Sequence, residues 1–189
     1  MAQQEGIGVV KRPTGGRAIL HAEEITYSVV IPSDKIESSK SLYNKISHSL
    51  VKGLKIYDNR LNGLELESLQ PHFPSLLKQE SGMICFSSTA RHEVKFAGKK
   101  LIGSAQRKMN GVILQHGSIL LGDYHLNLPK FLNVDDESKV KLINEMKDKT
   151  ISLEEILSEK TDENRLIDSL VKGFEKTWNI SFEKEKLIV

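Results

Sequence analysis

The stretch from Glu93 to Leu121 limits what this chain can fold into more than any other. It runs EVKF, AGKK, LIGSAQRK, Asn110-Gly111 and VILQHGSILL: short apolar segments separated by tight turns. Asn-Gly between two such segments is a strong hairpin signal, because a type I′ turn needs positive φ at both central residues. An antiparallel meander is therefore expected here. Gly103-Ser104-Ala105-Gln106 and Gln115-His116-Gly117-Ser118 then fall on the two arms of one hairpin, where pairing brings them together. Small and polar residues inside strands pack poorly and often mark a close approach to the sheet. The wall of a cleft is the better reading than a polar face open to water.

The rest of the chain fits around such a sheet. Ile25 to Ile31, ITYSVVI, is β-branched and aromatic and reads as a strand ending at Pro32. From Ser41, the residues Leu42, Ile46, Leu50 and Leu54 recur every fourth position behind a serine cap, which predicts an amphipathic helix. Lys55 to Tyr57 reads as a short strand, and Asp58 to Gly82 as a long loop. Beyond Asp135 the period becomes helical, with Val140, Leu142, Ile143 and Met146 on one side. Ser152 with Glu155 has the form of a capping box, and Ile167, Leu170, Val171, Phe174 and Trp178 make an apolar stripe. Ile180 to Phe182 reads as a last short strand. The expected fold is α+β, a mainly antiparallel sheet with flanking helices, sheet first and helices last. A single domain over residues 1–189 is expected, with a helical part at about 136–179.

Composition narrows the function. The 27 Lys and Arg against 25 Asp and Glu give +2, without the basic excess of a dedicated nucleic-acid binder, and aromatics at 6% offer no stacking platform for bases. No apolar run reaches the roughly 20 residues of a spanning helix, so no membrane role is expected. MAQQEGIGVV does not read as a secretory signal, and the lone Cys85 allows no internal disulfide, so the expected location is cytoplasmic. Residues 1–110 carry 16 basic and 10 acidic side chains, or +6, while 111–189 carry 11 and 15, or −4. The basic half is either a docking face for acidic partners, with Lys95, Lys99 and Lys108 as its candidates, or an ordinary solvated surface.

Few residues suggest chemistry. In Arg12-Pro13-Thr14-Gly15-Gly16-Arg17 the paired glycines let the backbone approach a ligand with free amide N–H groups, or make a plain turn. His21 is either a pocket imidazole or a structural one. Cys85 is either a buried, inert thiol or a nucleophile, and a nucleophile needs a cationic neighbour such as Lys99 or Lys100.

In combination these segments become specific. RPTGGRAILH, EEITYSVV, GKKLIGSAQ and GVILQHGSILL, in that order, resemble the biotin/lipoate protein ligase superfamily in its lipoate branch, and the likeness continues into SLEEIL and GFEKTW. The resemblance implies a biotin/lipoate protein ligase-like fold and one of two activities. Lipoate–protein ligases use ATP and Mg to activate lipoate, whereas cysteine-type octanoyltransferases take octanoate from acyl carrier protein onto their own thiol and need no cofactor. Ile84-Cys85-Phe86 and the Gly-Gly-Arg ending of the first motif resemble the transferases. By that resemblance Cys85 is the acyl-accepting nucleophile and Lys100 holds the acyl carbonyl. Arg12, Thr14, Gly15, Gly16, His21, Gly103, Ser104, Gln115, His116 and Gly117 would line the acyl pocket, with no metal ligands among them. His116 or His21 would serve as base for the second step. The implied partners are octanoyl-acyl carrier protein and apo lipoyl domains, such as glycine cleavage H protein or a 2-oxoacid dehydrogenase E2. Lys11 stands where the family commonly has an arginine, which keeps the charge and loses bidentate hydrogen bonding. The family's first motif usually follows further strands and a helix, whereas here it begins at Arg12. The resemblance therefore also implies two alternatives: a second chain supplying those strands, or a non-catalytic subunit or fragment.

Overall fold

The computed structural model describes residues 2–16, 18–66 and 93–185. Two small antiparallel sheets form its centre. The first has the order β1 (Glu24–Pro32), β6 (Val112–Leu120), β5 (Ile102–Met109), and the second β2 (Leu64–Leu66), β3 (Val94–Phe96), β4 (Lys99–Lys100). Asn110 and Gly111 have φ of 47° and 79°, the pair of positive values that a type I′ hairpin demands, and Met109 faces Val112 across the turn. Ala97 and Gly98, at 48° and 77°, turn β3 into β4 in the same way.

The expected meander is thus divided between two sheets. At Leu101 the chain leaves one for the other: its N–H donates to Val94 O at 3.0 Å, while its carbonyl accepts from the Leu120 N–H at 3.2 Å. Lys100 and Leu101 are the seam.

Helix α1 (Ser39–Tyr57) starts at Ser38, whose hydroxyl accepts from the Ser41 N–H at 3.0 Å. Leu42, Ile46, Leu50 and Leu54 are all buried, as their spacing predicts. Lys55 to Tyr57 is not a strand but the last turn of this helix. The apolar period continues through Tyr57, whose hydroxyl accepts from the Asp162 N–H at 3.1 Å while the Arg165 guanidinium lies 4.3 Å from its ring centre. Asp58 ends the helix in an extended conformation. The expected loop after it opens with a 3-10 turn, Asn59–Gly63, and then β2. Residues 67–92 of that expected loop, Cys85 among them, lie outside the described residues.

Asp58 also accepts from the Arg60 backbone and side chain, which holds its carboxyl down at about 2. A folded-state pKa below the unfolded value contributes stability above the ordinary carboxylate range, and this is lost as pH falls through about 2. Asp58→Asn should therefore lower the urea midpoint slightly at neutral pH, the effect being small because the Arg60 side chain is about half exposed, and the variant and wild-type profiles should converge as pH falls toward about 2.

Three helices follow: α2 (Asp136–Lys149), α3 (Leu153–Leu157) and α4 (Glu163–Trp178). Ser152 caps α3 by accepting from the Glu155 N–H at 3.2 Å, as the capping box predicts. In α2, Leu142 and Met146 are buried with Leu20 and Leu128, but Val140 is 58% exposed and does not belong to the apolar side. The element packed there is a 3-10 segment, Tyr124–Phe131, too short to cover the outer turn. Helix α4 lies on α1 at very close range through Gly173 and Gly53. The rest of its stripe, Ile167, Val171, Phe174 and Trp178, faces β1 across an apolar groove of about 600 Å³. Ile180 to Phe182 forms no strand. Asn179, at φ 53°, stops the helix, and the Ile180 and Phe182 N–H groups return to Glu175. The α+β expectation holds, and the helix expected behind Ser41 follows the first strand as the longest among the described residues.

Candidate active site

Register decides how the polar hairpin residues are arranged. Gly103 is opposite Ser118, Ser104 opposite Gly117, Ala105 opposite His116 and Gln106 opposite Gln115. The two polar tetrads do meet. Side chains alternate along a strand, however, so the residues expected in one pocket wall divide between two faces of the sheet.

One face carries Ser104, Gln106, Gln115 and Gly117, together with Tyr27 from β1. The Tyr27 hydroxyl lies 2.6 Å from Ser104 Oγ and accepts from Gln115 Nε2 at 3.2 Å; Gln115 Oε1 accepts from Gln106 Nε2 at 3.0 Å. Burial raises the Tyr27 pKa, with a smaller push from the Glu93 carboxylate, so the phenol stays protonated at neutral pH. Gly117 makes room for this chain. A Cβ there would lie 2.2 Å from Gly103 O and 2.8 Å from the Tyr27 ring. Gly117→Ala should cost about 1–3 kcal/mol by overpacking, read as a shift of the urea midpoint at constant slope. An unchanged midpoint would show that the strands can part at no cost.

The opposite face carries His116 and Ser118 and is covered by the segment before β1. Thr14 Oγ1 and His116 Nε2 are 2.7 Å apart, and the Arg107 guanidinium donates to Pro13 O. Gly15 and Gly16 have φ of 68° and 96°, and a Cβ on Gly16 would come 2.9 Å from the Arg12 guanidinium, so the glycine turn brings that cation close. Burial lowers the His116 pKa, and the Arg12 guanidinium and the neighbouring His21 ring lower it further. His116 is therefore a neutral imidazole at neutral pH. His21 Nδ1 is 2.7 Å from Glu24 Oε1 and 3.4 Å from Ser118 Oγ.

Lys100 stands at the seam between the sheets. Its side chain is 1% exposed, and its Nζ lies 2.9 Å from Oε1 of Glu93, whose side chain is 3% exposed. The Lys100 carbonyl accepts from the Ile151 N–H at 3.0 Å, which fixes the backbone below the side chain. A buried ammonium held by a carboxylate can place fixed positive charge where a carbonyl oxygen gains negative charge, in surroundings that screen it little.

The structure therefore groups Arg12, Thr14, Gly15, Gly16, His21 and His116 on one face, at positions level with Gly103. Ser104, Gln115 and Gly117 are on the other, and Lys100 is at the sheet's end. Of the basic docking candidates, Lys95 and Lys99 lie in the second sheet and Lys108 near the hairpin tip, roughly 20 Å along β5 from Ile102. Tyr27, Glu24 and Glu93 are site residues that the sequence reading does not single out. Glu93 leaves no local signal: the Ala97-Gly98 turn sets Lys95, not Glu93, opposite Lys100, and the ion pair runs diagonally across the hairpin.

The lipoyl protein ligase A/B catalytic domain family matches residues 1–175. The chain belongs to this family. It is 34% identical over 188 residues to octanoyltransferase LipM of Geobacillus kaustophilus, covering 96% of this chain and 66% of that protein. It is 32% identical over 192 residues to octanoyltransferase LipM of Staphylococcus aureus, covering 98% and 68%. The chain thus spans about two thirds of the length of the curated relatives it matches. Among solved structures, a bipartite lipoate protein ligase from Thermoplasma acidophilum superposes with a TM-score of 0.72 at 21% identity, covering 97% of this chain and 63% of that one. A lipoate-protein ligase A bound with ATP gives 0.69 at 19% identity, covering 97% and 64%. At those identities the likeness speaks for the lipoyl ligase fold, which the α+β reading anticipates. Among the described residues no helix is long and apolar enough to cross a membrane.

Proposed function

We propose that this lipoyl ligase-family chain is an octanoyltransferase that moves an acyl group from acyl carrier protein to a lysine of an apo lipoyl domain, by way of a thioester on Cys85. The observation that carries this reading is 34% identity to an octanoyltransferase over 96% of the chain. In the first step the Cys85 thiolate attacks the carrier thioester. A new C–S bond forms, the carrier thiolate leaves and takes a proton, and no ATP is needed because one thioester replaces another. In the second step the acceptor amine attacks the same carbonyl. The C–N bond forms, the Cys85 sulfur leaves, and the product is an amide. In both steps the carbonyl oxygen passes through an oxyanion, beside which the Lys100 ammonium acts while Glu93 holds it in place. Lys95 and Lys99, in the sheet that holds Lys100, would face an acidic carrier or lipoyl domain.

A second reading, ATP-dependent lipoate ligation, is favoured by the Gly15-Gly16 turn with Arg12 beside it, an arrangement suited to a phosphate. The two separate cleanly in one assay. Octanoylation of an apo lipoyl domain from octanoyl-carrier protein without ATP supports transfer. Lipoate-dependent ATP–pyrophosphate exchange that survives Cys85→Ser would replace it with ligation.

A further inference from the structure

Glu24, the first residue of β1, has a side chain that is 4% exposed. Its Oε1 accepts from Thr26 Oγ1 at 2.6 Å and lies 2.7 Å from His21 Nδ1. Its Oε2 is buried and has no hydrogen-bond partner among the described residues. A buried carboxylate oxygen with no donor is costly, and here the cost is borne beside a site. The missing partner must be a donor, and a cationic donor serves a carboxylate best.

The position narrows the choice. Glu24 pairs with Leu120, and the Leu120 N–H is bonded to the carbonyl of Leu101, the neighbour of Lys100. Two strand spacings, roughly 10 Å, therefore separate the Glu24 backbone from the seam that holds Lys100. His21, 44% exposed, opens the cluster toward solvent, and His116, Thr14 and Ser118 border it on the same face.

We propose that Glu24, oriented by His21 and Thr26, receives the ε-ammonium of the acceptor lysine and takes its first proton. This rests on the octanoyl-transfer reading, in which an ammonium has to become an amine before it can attack. Oε2 accepts a hydrogen bond from the ammonium and then one proton. The neutral amine attacks the thioester, the C–N bond forms and the C–S bond breaks, and the second nitrogen proton goes to the departing thiolate. The proton on Glu24 passes through the His21 side to solvent. Glu24 is then a catalytic residue of the second step, and His21 a positioning residue that acts through it.

The test isolates that step. Octanoyl-enzyme is formed with octanoyl-carrier protein, freed of donor, and mixed either with apo lipoyl domain or with hydroxylamine, which is already neutral and needs no base. Glu24→Gln should slow transfer to the lipoyl domain about 100-fold while hydroxylamine cleaves the variant at the wild-type rate. Wild-type transfer by Glu24→Gln, or equal slowing with both nucleophiles, would overturn the assignment. Should Glu24→Gln fail to acylate, His21→Gln carries the test, with transfer about tenfold slower and hydroxylamine cleavage unaffected; unchanged transfer would again overturn it. Failure of the wild-type chain to form octanoyl-enzyme at all would instead overturn the octanoyl-transfer reading, and this proposal with it.

Discussion

Lys100→Met should destabilise the protein by about 3–5 kcal/mol, because it removes one partner of a buried ion pair and leaves the other charge without it. Lys100 and Glu93 are both almost wholly enclosed and 2.9 Å apart, so water can replace neither. The nearby Tyr27 phenol cannot supply the missing positive charge, since a tyrosine is neutral or anionic. Replacing both partners has the opposite logic. A Lys100→Met, Glu93→Leu double variant should recover most of the lost stability, because an apolar pair of similar volume does not pay the desolvation of two ions. Activity should not follow. If the ammonium faces the oxyanion, the double variant folds well and acylates roughly 100-fold or more slowly. Recovery of both stability and rate would assign the pair a purely structural role. Urea unfolding and the initial rate of acylation read the two quantities separately.

Gly173→Ala is the second large effect. In an isolated helix the change would be favourable by about 1 kcal/mol, since alanine forms helix more readily than glycine. At this position the added Cβ would stand 2.4 Å from Gly53 N and 2.5 Å from Ser49 O, both backbone atoms of α1 that cannot turn aside. The helices would have to separate, loosening Leu50, Leu54, Leu166 and Leu170 between them and the bond from Trp178 Nε1 to Ser49 Oγ at 2.9 Å. Contact wins over propensity, and a net loss of about 2–3 kcal/mol is expected. An unchanged or raised midpoint would mean that α1 and α4 do not pack this closely in solution. Because α4 also walls the apolar groove over β1, the same variant should alter that groove.

The parts of the fold legible in the sequence are those governed by local rules. Asn110-Gly111 required one turn type, the fourfold spacing of Leu42, Ile46, Leu50 and Leu54 required one helix face, and Ser152 required one cap; each is found as expected. The failures are places where a distant partner decides. Tyr57 belongs to α1, where Asp162 and Arg165 meet it, and Val140 is left 58% exposed on the outer turn of its helix. Ile180 to Phe182 is β-like in composition but the preceding Asn179 returns the chain to Glu175. The candidate site shows the same division. Motif spacing brought Lys100, His116, Gln115 and the glycines into view. It could not tell which face each would take, because that depends on the strand register, nor could it find Glu24 and Glu93, whose significance lies in what they touch.

Octanoyl transfer by this chain requires an acyl group carried by Cys85, which lies outside the described residues and takes its role from the family resemblance. Intact-mass measurement after mixing the chain with octanoyl-acyl carrier protein, without ATP, tests this most directly. The predicted result is a single added octanoyl group, removed by hydroxylamine and absent in Cys85→Ser. Folded wild-type protein that stays unmodified, or a Cys85→Ser variant that gains the same group, would contradict it.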